Sequence, residues 1–236
     1  NSNFFNIVSS YNQVGVYANA VYGDPSSTEN NTFFNVVANS NEENGIILGD
    51  DFTNGFTSRG INLTSNVANF NGQSGIVMAD SNDRIFLYNN TASFNDKSQY
   101  DRGGGIIILG KSTNISLYNN VVKNNSFYGI YLDYSFTGLL ENNTAIHNQE
   151  GVRINAGSTF ITLTNNTICY NNLTDIHSSN YVSSINSTKN KCDVFQEWND
   201  ENTTGCTASC VPAILVHGIY SSDGMWDKMK ANLTEN

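Results

Sequence analysis

Four cysteines, two spaced aspartates and one His-Gly step are the residues whose type and spacing could do chemistry. Cys169, Cys192, Cys206 and Cys210 crowd one stretch of the chain. Cys206 and Cys210 have a spacing that zinc sites use, but no nearby His completes a set. Disulfides are the alternative, with three possible pairings, and would fit an oxidising, extracellular setting. Asp50 and Asp80 recur with Asp51 and Asp83 close by. Stacked carboxylates could hold a cation such as Ca²⁺; they could also be plain turn residues. His217-Gly218 ends an apolar run of strand character, but no G-x-S-x-G follows anywhere in the chain. His147 and His177 have no recognisable ligand partners in the sequence.

What must position these groups is written in the composition. The chain has 236 residues, 11 Lys+Arg against 21 Asp+Glu, and a net charge of -10. Only 14% of residues are charged, against a usual ~25%. The place of charge is taken by 40 Asn. No basic stripe exists to neutralise phosphates, which argues against nucleic acid. No window of ~18 apolar residues exists to span a bilayer as a helix. Regular Ile, Val and Leu with 11% aromatics argue against disorder. Asn, Ser, Thr and Gly are poor helix formers, so a helical fold is not expected. The chain lacks an initiator Met and starts in mid-pattern. It therefore reads as a piece of a longer protein, with any signal peptide upstream.

The Asn are periodic. Asn35, Asn66, Asn90, Asn120, Asn143 and Asn166 are separated by 31, 24, 30, 23 and 23 residues, with Asn6 and Asn190 extending the series. Between them recurs a Gly followed by a branched residue: Gly15-Val16, Gly45-Ile46, Gly75-Ile76, Gly105-Ile106, Gly129-Ile130, Gly151-Val152. Apolar residues within a unit alternate with period two, as in Ile46/Leu48, Ile85/Leu87 and Ile115/Leu117. Three short strands per unit cannot bury an apolar face alone, whereas stacked units share one core. Asn suits the corners, because it tolerates a left-handed backbone and can stack in amide ladders. Insertions near 20–30, 49–58 and 96–104 lengthen three units and are natural places for a site or for mere decoration.

The pattern Gly-Ile-x-Leu … Ile-x-Leu-x-Asn-Asn resembles the right-handed parallel β-helix repeats of the NosD-like, carbohydrate-binding and sugar-hydrolase type, over about residues 1–190. The expected fold is all-β: a single-stranded right-handed parallel β-helix of about seven to eight coils. Residues 191–210 are expected to cap it and link onward. In 211–236, Ile-Leu-Val-His-Gly … Trp resembles the start of an α/β-hydrolase domain of the lipase/esterase type, as a strand, a turn and a helix. That resemblance places an oxyanion-hole N–H at Ile219, just after His217 and Gly218. The family's Ser, Asp/Glu and His would lie beyond residue 236, so no catalytic residue is expected within the chain.

On the β-helix itself, the second residue after each Gly points outward: Tyr17, Ile47, Val77, Ile107, Tyr131 and Arg153, with His177 continuing the series. Side chains on adjacent coils line up, so Tyr17, Ile47, Val77, Ile107 and Tyr131 should form one exposed apolar strip. Such a strip marks contact with a partner, with a glycan stacked on Tyr17 and Tyr131, or with covering loops. Eleven N-x-S/T sequons occur, at Asn30, Asn62, Asn89, Asn114, Asn124, Asn142, Asn165, Asn172, Asn186, Asn202 and Asn232. An Asn-rich repeat produces some by accident, and a secreted protein could carry glycans at several. The sequence thus points to an extracellular or cell-surface β-helix. Its role is to bind carbohydrate or to act as a stalk or targeting scaffold for its own C-terminal hydrolase. The alternative is the N-terminal part of a serine carboxyl-ester hydrolase, and a polysaccharide lyase or glycosidase is weaker still. No cofactor is expected beyond the Ca²⁺ option.

Overall fold

The computed structural model describes residues 2–18, 30–49, 59–79, 82–96, 103–179, 186–200 and 204–210. They form a right-handed parallel β-helix of eight coils, with no α-helix among the described residues.

Three faces run the length of the stack. One sheet carries the Ile-x-Leu strands, from Asn3–Phe5 and Thr32–Phe34 through Arg59–Thr64, Asp83–Tyr88, Thr113–Tyr118, Phe136–Glu141 and Thr159–Thr164 to Asn186–Thr188. A second, the glycine sheet, carries Val16–Ala18, Ile46–Leu48, Ile76–Met78, Gly104–Ile108, Tyr128–Leu132, Glu150–Ile154, Thr174–Ser178 and Phe195–Gln196. The third is short: Thr91–Ser93, Val121–Lys123, Thr144–Ile146 and Thr167–Cys169, continued at both ends by single bridges such as Val37↔Val67 and Lys191↔Ala208. All pairs are parallel and in register, so Ile46, Ile76, Ile106, Ile130, Val152 and Ile176 stack into one buried column.

At the corners, the left-handed turn and the amide ladder, both expected of one Asn, fall to two neighbouring residues. After each Ile-x-Leu strand, Asn6, Asn35, Ser65, Asn89, Asn119, Asn142, Asn165 and Lys189 adopt φ of +53° to +57°. The next residue points inward and builds an amide ladder: Asn66, Asn90, Asn120, Asn143, Asn166 and Asn190. Asn35 therefore does not belong with Asn66. Its inward equivalent is Val36, whose N–H donates to Asn66 Oδ1, and the true spacing is 30.

A second ladder lines the corner before the glycine sheet, through Asn41, Asn71, Asn95, Asn125, Asn148 and Asn171. It explains the recurring Gly. A Cβ at Gly45, Gly75 or Gly129 would lie 2.7–2.8 Å from the Nδ2 of Asn71, Asn95 or Asn148, and no farther from a backbone oxygen of an adjoining coil or segment. The glycine is needed for close approach, since these positions do not adopt positive φ.

Residues 191–200 and 204–210 pack against the last coils. Trp198 is buried in the core cluster, and Cys169–Cys210 and Cys192–Cys206 are disulfide-bonded. The ladders terminate on carboxylates. Asn171 Nδ2 donates to Asp175 Oδ1 at 2.9 Å, and Asn190 Nδ2 donates to Asp200 Oδ1 at 2.9 Å. Burial pulls the Asp200 carboxyl up, but hydrogen bonds from Ser187, Asn190 and Thr207 outweigh it and hold the group below the ordinary carboxylate value. A depressed folded-state pKa stabilises above the unfolded value of about 3.9 and is lost as pH falls through the lower folded value. Acid titration followed by Trp fluorescence should show this loss below about pH 4, and Asp200→Asn should remove that component.

Candidate functional site

The outward column of the glycine sheet is continuous. Tyr17, Ile47, Val77, Ile107, Tyr131, Arg153, His177 and Gln196 are successive register partners, about 4.8 Å apart along the axis. Its N-terminal half forms a groove of ≈ 610 Å³. Tyr17, Ile47, Val77 and Ile107 supply the floor, and Gln13, Glu43, Asn44, Gln73 and Ser74 form a polar edge. That edge is ordered from coil to coil. Gln13 Nε2 donates to Glu43 Oε1 at 2.7 Å, and Asn44 Nδ2 donates to Gln73 Oε1 at 3.0 Å. An apolar floor beside amides and one carboxylate offers a stacking surface next to hydrogen-bond donors and acceptors.

The strip is not evenly exposed, contrary to the sequence expectation. Tyr17 is 53% exposed, whereas Ile107 is 1% and Tyr131 5% exposed. The Tyr128 ring stacks on Tyr131 with centroids 4.7 Å apart, and Asn155 Nδ2 donates to the Tyr131 hydroxyl at 3.1 Å. Tyr131 is thus packed under its neighbours rather than offered to a ligand. Asn155 Nδ2 also donates to Asp133 Oδ1 at 2.8 Å.

Beyond Tyr131 the column becomes charged. Glu150 shares its strand with Arg153, and Arg153 Nη1 donates to Glu150 Oε2 at 3.2 Å. Arg153 Nη1 also lies 2.5 Å from His177 Nδ1 on the next coil. Burial and the Arg153 charge hold the His177 pKa below its usual value, against the pull of Glu150. The ring is then neutral with Nδ1 accepting from Arg153. Once protonated, it can pair with Glu150 Oε2 at 3.2 Å instead. Sequence reasoning placed Arg153 and His177 on this column but missed Glu150. Period-two spacing gave no signal for it, since a residue three before Arg153 in a regular strand points to the opposite face. The hydrogen bond shows that the two heads nonetheless meet.

Other sequence-derived candidates lie elsewhere. Asp50 and Asp80 fall outside the described residues, as do His217, Gly218 and Ile219. Among the described residues no group of three or more His, Cys, Asp or Glu is arranged to hold a metal ion. The four cysteines of the zinc-or-disulfide alternative are paired as disulfides.

Comparison with known proteins gives one family and three solved structures. A family model described as "Right handed beta helix region" matches residues 19–193. Comparison with curated proteins finds no match. The A-module of mannuronan C-5 epimerase AlgE6 from Azotobacter vinelandii is similar in structure, with a TM-score of 0.59, 17% identity, and coverage of 83% of this chain and 61% of that one. The A-module of AlgE4 from the same organism gives 0.52, 16%, 89% and 57%. A double mutant of the periplasmic alginate epimerase AlgG gives 0.60, 16%, 88% and 50%. The chain spans about half to three-fifths of those structures. At such identity the likeness is one of fold.

Proposed function

The chain belongs to the right-handed β-helix family, and from that premise we propose that its glycine sheet binds an extended polysaccharide outside the cytoplasm. The groove carries the proposal. A pyranose ring presents an apolar face to Tyr17, Ile47 and Val77 while its hydroxyls reach Gln13, Glu43, Asn44 and Gln73. The column continues axially, so a chain laid along it crosses successive coils and ends near Arg153 and His177. The alginate epimerases named above act on a polysaccharide by their titles, which supports the ligand class. The two disulfides support an oxidising compartment, extracellular or periplasmic. The resemblance of residues 211–236 to a hydrolase start supports a second reading, in which the β-helix holds a downstream esterase domain on its glycan.

The probe residue is Tyr17, because Tyr131 is buried and its loss would disturb packing. Titration calorimetry of the full chain against a panel of neutral and uronate-rich polysaccharides should find one that binds. Tyr17→Ala should weaken that binding roughly 2–10-fold, the worth of one aromatic stacking contact. A panel with no binder, or equal affinity in Tyr17→Ala, would overturn the groove reading.

A further inference from the structure

The twelve ladder asparagines and the sequon asparagines are separate sets. Asn41, Asn66, Asn71, Asn90, Asn95, Asn120, Asn125, Asn143, Asn148, Asn166, Asn171 and Asn190 make the ladders, and none of them starts an N-x-S/T sequence. Each ladder amide spends both Nδ2 protons inside the protein; Asn120, for instance, donates to Leu87 O at 2.9 Å and Asn143 Oδ1 at 3.0 Å. A sugar on such a nitrogen would break the ladder. The sequons begin one residue earlier at Asn89, Asn124, Asn142 and Asn165, which are left-handed and exposed. All nine sequon asparagines among the described residues are exposed or half-exposed.

Their placement is one-sided. Asn30, Asn62, Asn89, Asn114, Asn142, Asn165 and Asn186 lie on or beside strands of the Ile-x-Leu sheet. Asn124 lies at the second corner, and Asn172 precedes the strand Thr174–Ser178. None lies within a strand of the glycine sheet, and the groove asparagine Asn44 is followed by Gly45-Ile46, which is no sequon.

We infer that the protein is N-glycosylated on the Ile-x-Leu side, with the groove face left bare, and that Asn142 and Asn165 exclude one another as acceptors. The donor is a lipid-phosphate-linked oligosaccharide. Asn Nδ2 attacks its anomeric carbon, the N–C1 bond forms, the C1–O bond to phosphate breaks, and one Nδ2 proton leaves as the lipid phosphate departs. Exclusion follows from stacking. Asn165 Nδ2 donates to Asn142 Oδ1 at 2.5 Å, one coil apart, and a pyranose is wider than a coil step of about 4.8 Å. Asn89 is two coils from Asn142, with Asn119 between, and escapes this limit. The inference is independent of what the groove binds.

The test is secretion of the full chain from a eukaryotic host, followed by peptide N-glycosidase in H₂¹⁸O, which converts each glycosylated Asn to labelled Asp. Cleavage after Lys yields one peptide from 124 to 189 that contains both Asn142 and Asn165. Label is expected at Asn89 and at either Asn142 or Asn165 on each such peptide, never at both. Asn142→Gln should raise occupancy at Asn165, and Thr144→Ala, which removes the same sequon, should repeat that result. An unlabelled Asn89, a peptide unlabelled at both Asn142 and Asn165, or one labelled at both would sink the inference.

Discussion

Asn120→Ala should lower the stability of the chain by roughly 3–6 kcal/mol, among the largest effects available to one surface-neutral substitution. Asn120 is fully buried at mid-stack. Its Oδ1 accepts from both the backbone N–H and the Nδ2 of Asn90, and its own Nδ2 donates to Leu87 O and Asn143 Oδ1. Alanine takes the shared acceptor from the Asn90 N–H and from one Asn90 Nδ2 proton, and a donor from the Leu87 carbonyl, at about 1–3 kcal/mol for each stranded group. Asn119, one residue earlier, is the control. It is exposed with φ of +55°, and alanine there costs only about 1 kcal/mol of left-handed strain. Urea unfolding read by far-UV circular dichroism should give a far lower midpoint for Asn120→Ala than for Asn119→Ala. Equal midpoints would show that the ladder contributes nothing beyond the corner itself.

Removing the disulfides should be the other large effect, and it should be local. Cys169–Cys210 spans 41 residues and Cys192–Cys206 spans 14. Loop-closure entropy gives about 4 and about 3 kcal/mol respectively. Both bonds tie down the segment that buries Trp198 and presents Asp200 to Asn190. Because each coil touches mainly its neighbours, loss at one end need not melt the other. Hydrogen exchange on the Cys169→Ser/Cys210→Ser chain should show fast exchange for the amides of 186–210, with little change across Ile76–Met78. Uniform acceleration along the whole stack would mean that the cap controls global rather than local opening.

Much of the architecture was legible because it repeats. Gly45-Ile46 and Gly75-Ile76 announce a strand start wherever they occur, and Ile85/Leu87 and Ile115/Leu117 give the period of two. The register of the outward column was readable too, since Tyr17, Ile47, Val77, Ile107 and Tyr131 are true neighbours in space. Burial was not readable. Tyr131 is covered by Tyr128 and Asn155, and such cover depends on side-chain packing that a repeat pattern does not encode. The second ladder was spelled out as Asn71 four residues before Gly75 and Asn125 four before Gly129. Its partners are 23 to 30 residues away, so the hydrogen bonds appear only once the coils are stacked. Glu150 was missed for a related reason: its partners Arg153 and His177 were sorted by a single outward position per strand.

The two carboxylates at the ends of the ladders have a consequence for assembly. In each ladder every Asn donates one Nδ2 proton to the Oδ1 of the next coil toward the C-terminal end, and the other back to a carbonyl of the preceding coil. The stack is therefore a vector, and its growing tip would present donors that a fresh first coil could satisfy. A bare tip of that kind is a template for head-to-tail polymerisation, the route by which open β-edges become fibres. Asp175 and Asp200 occupy those donors within the same chain, and both carboxylates are themselves buried under residues that follow them. Each ladder thus ends inside the chain on a carboxylate, which accepts from its last Asn and leaves no such donor open to a second copy.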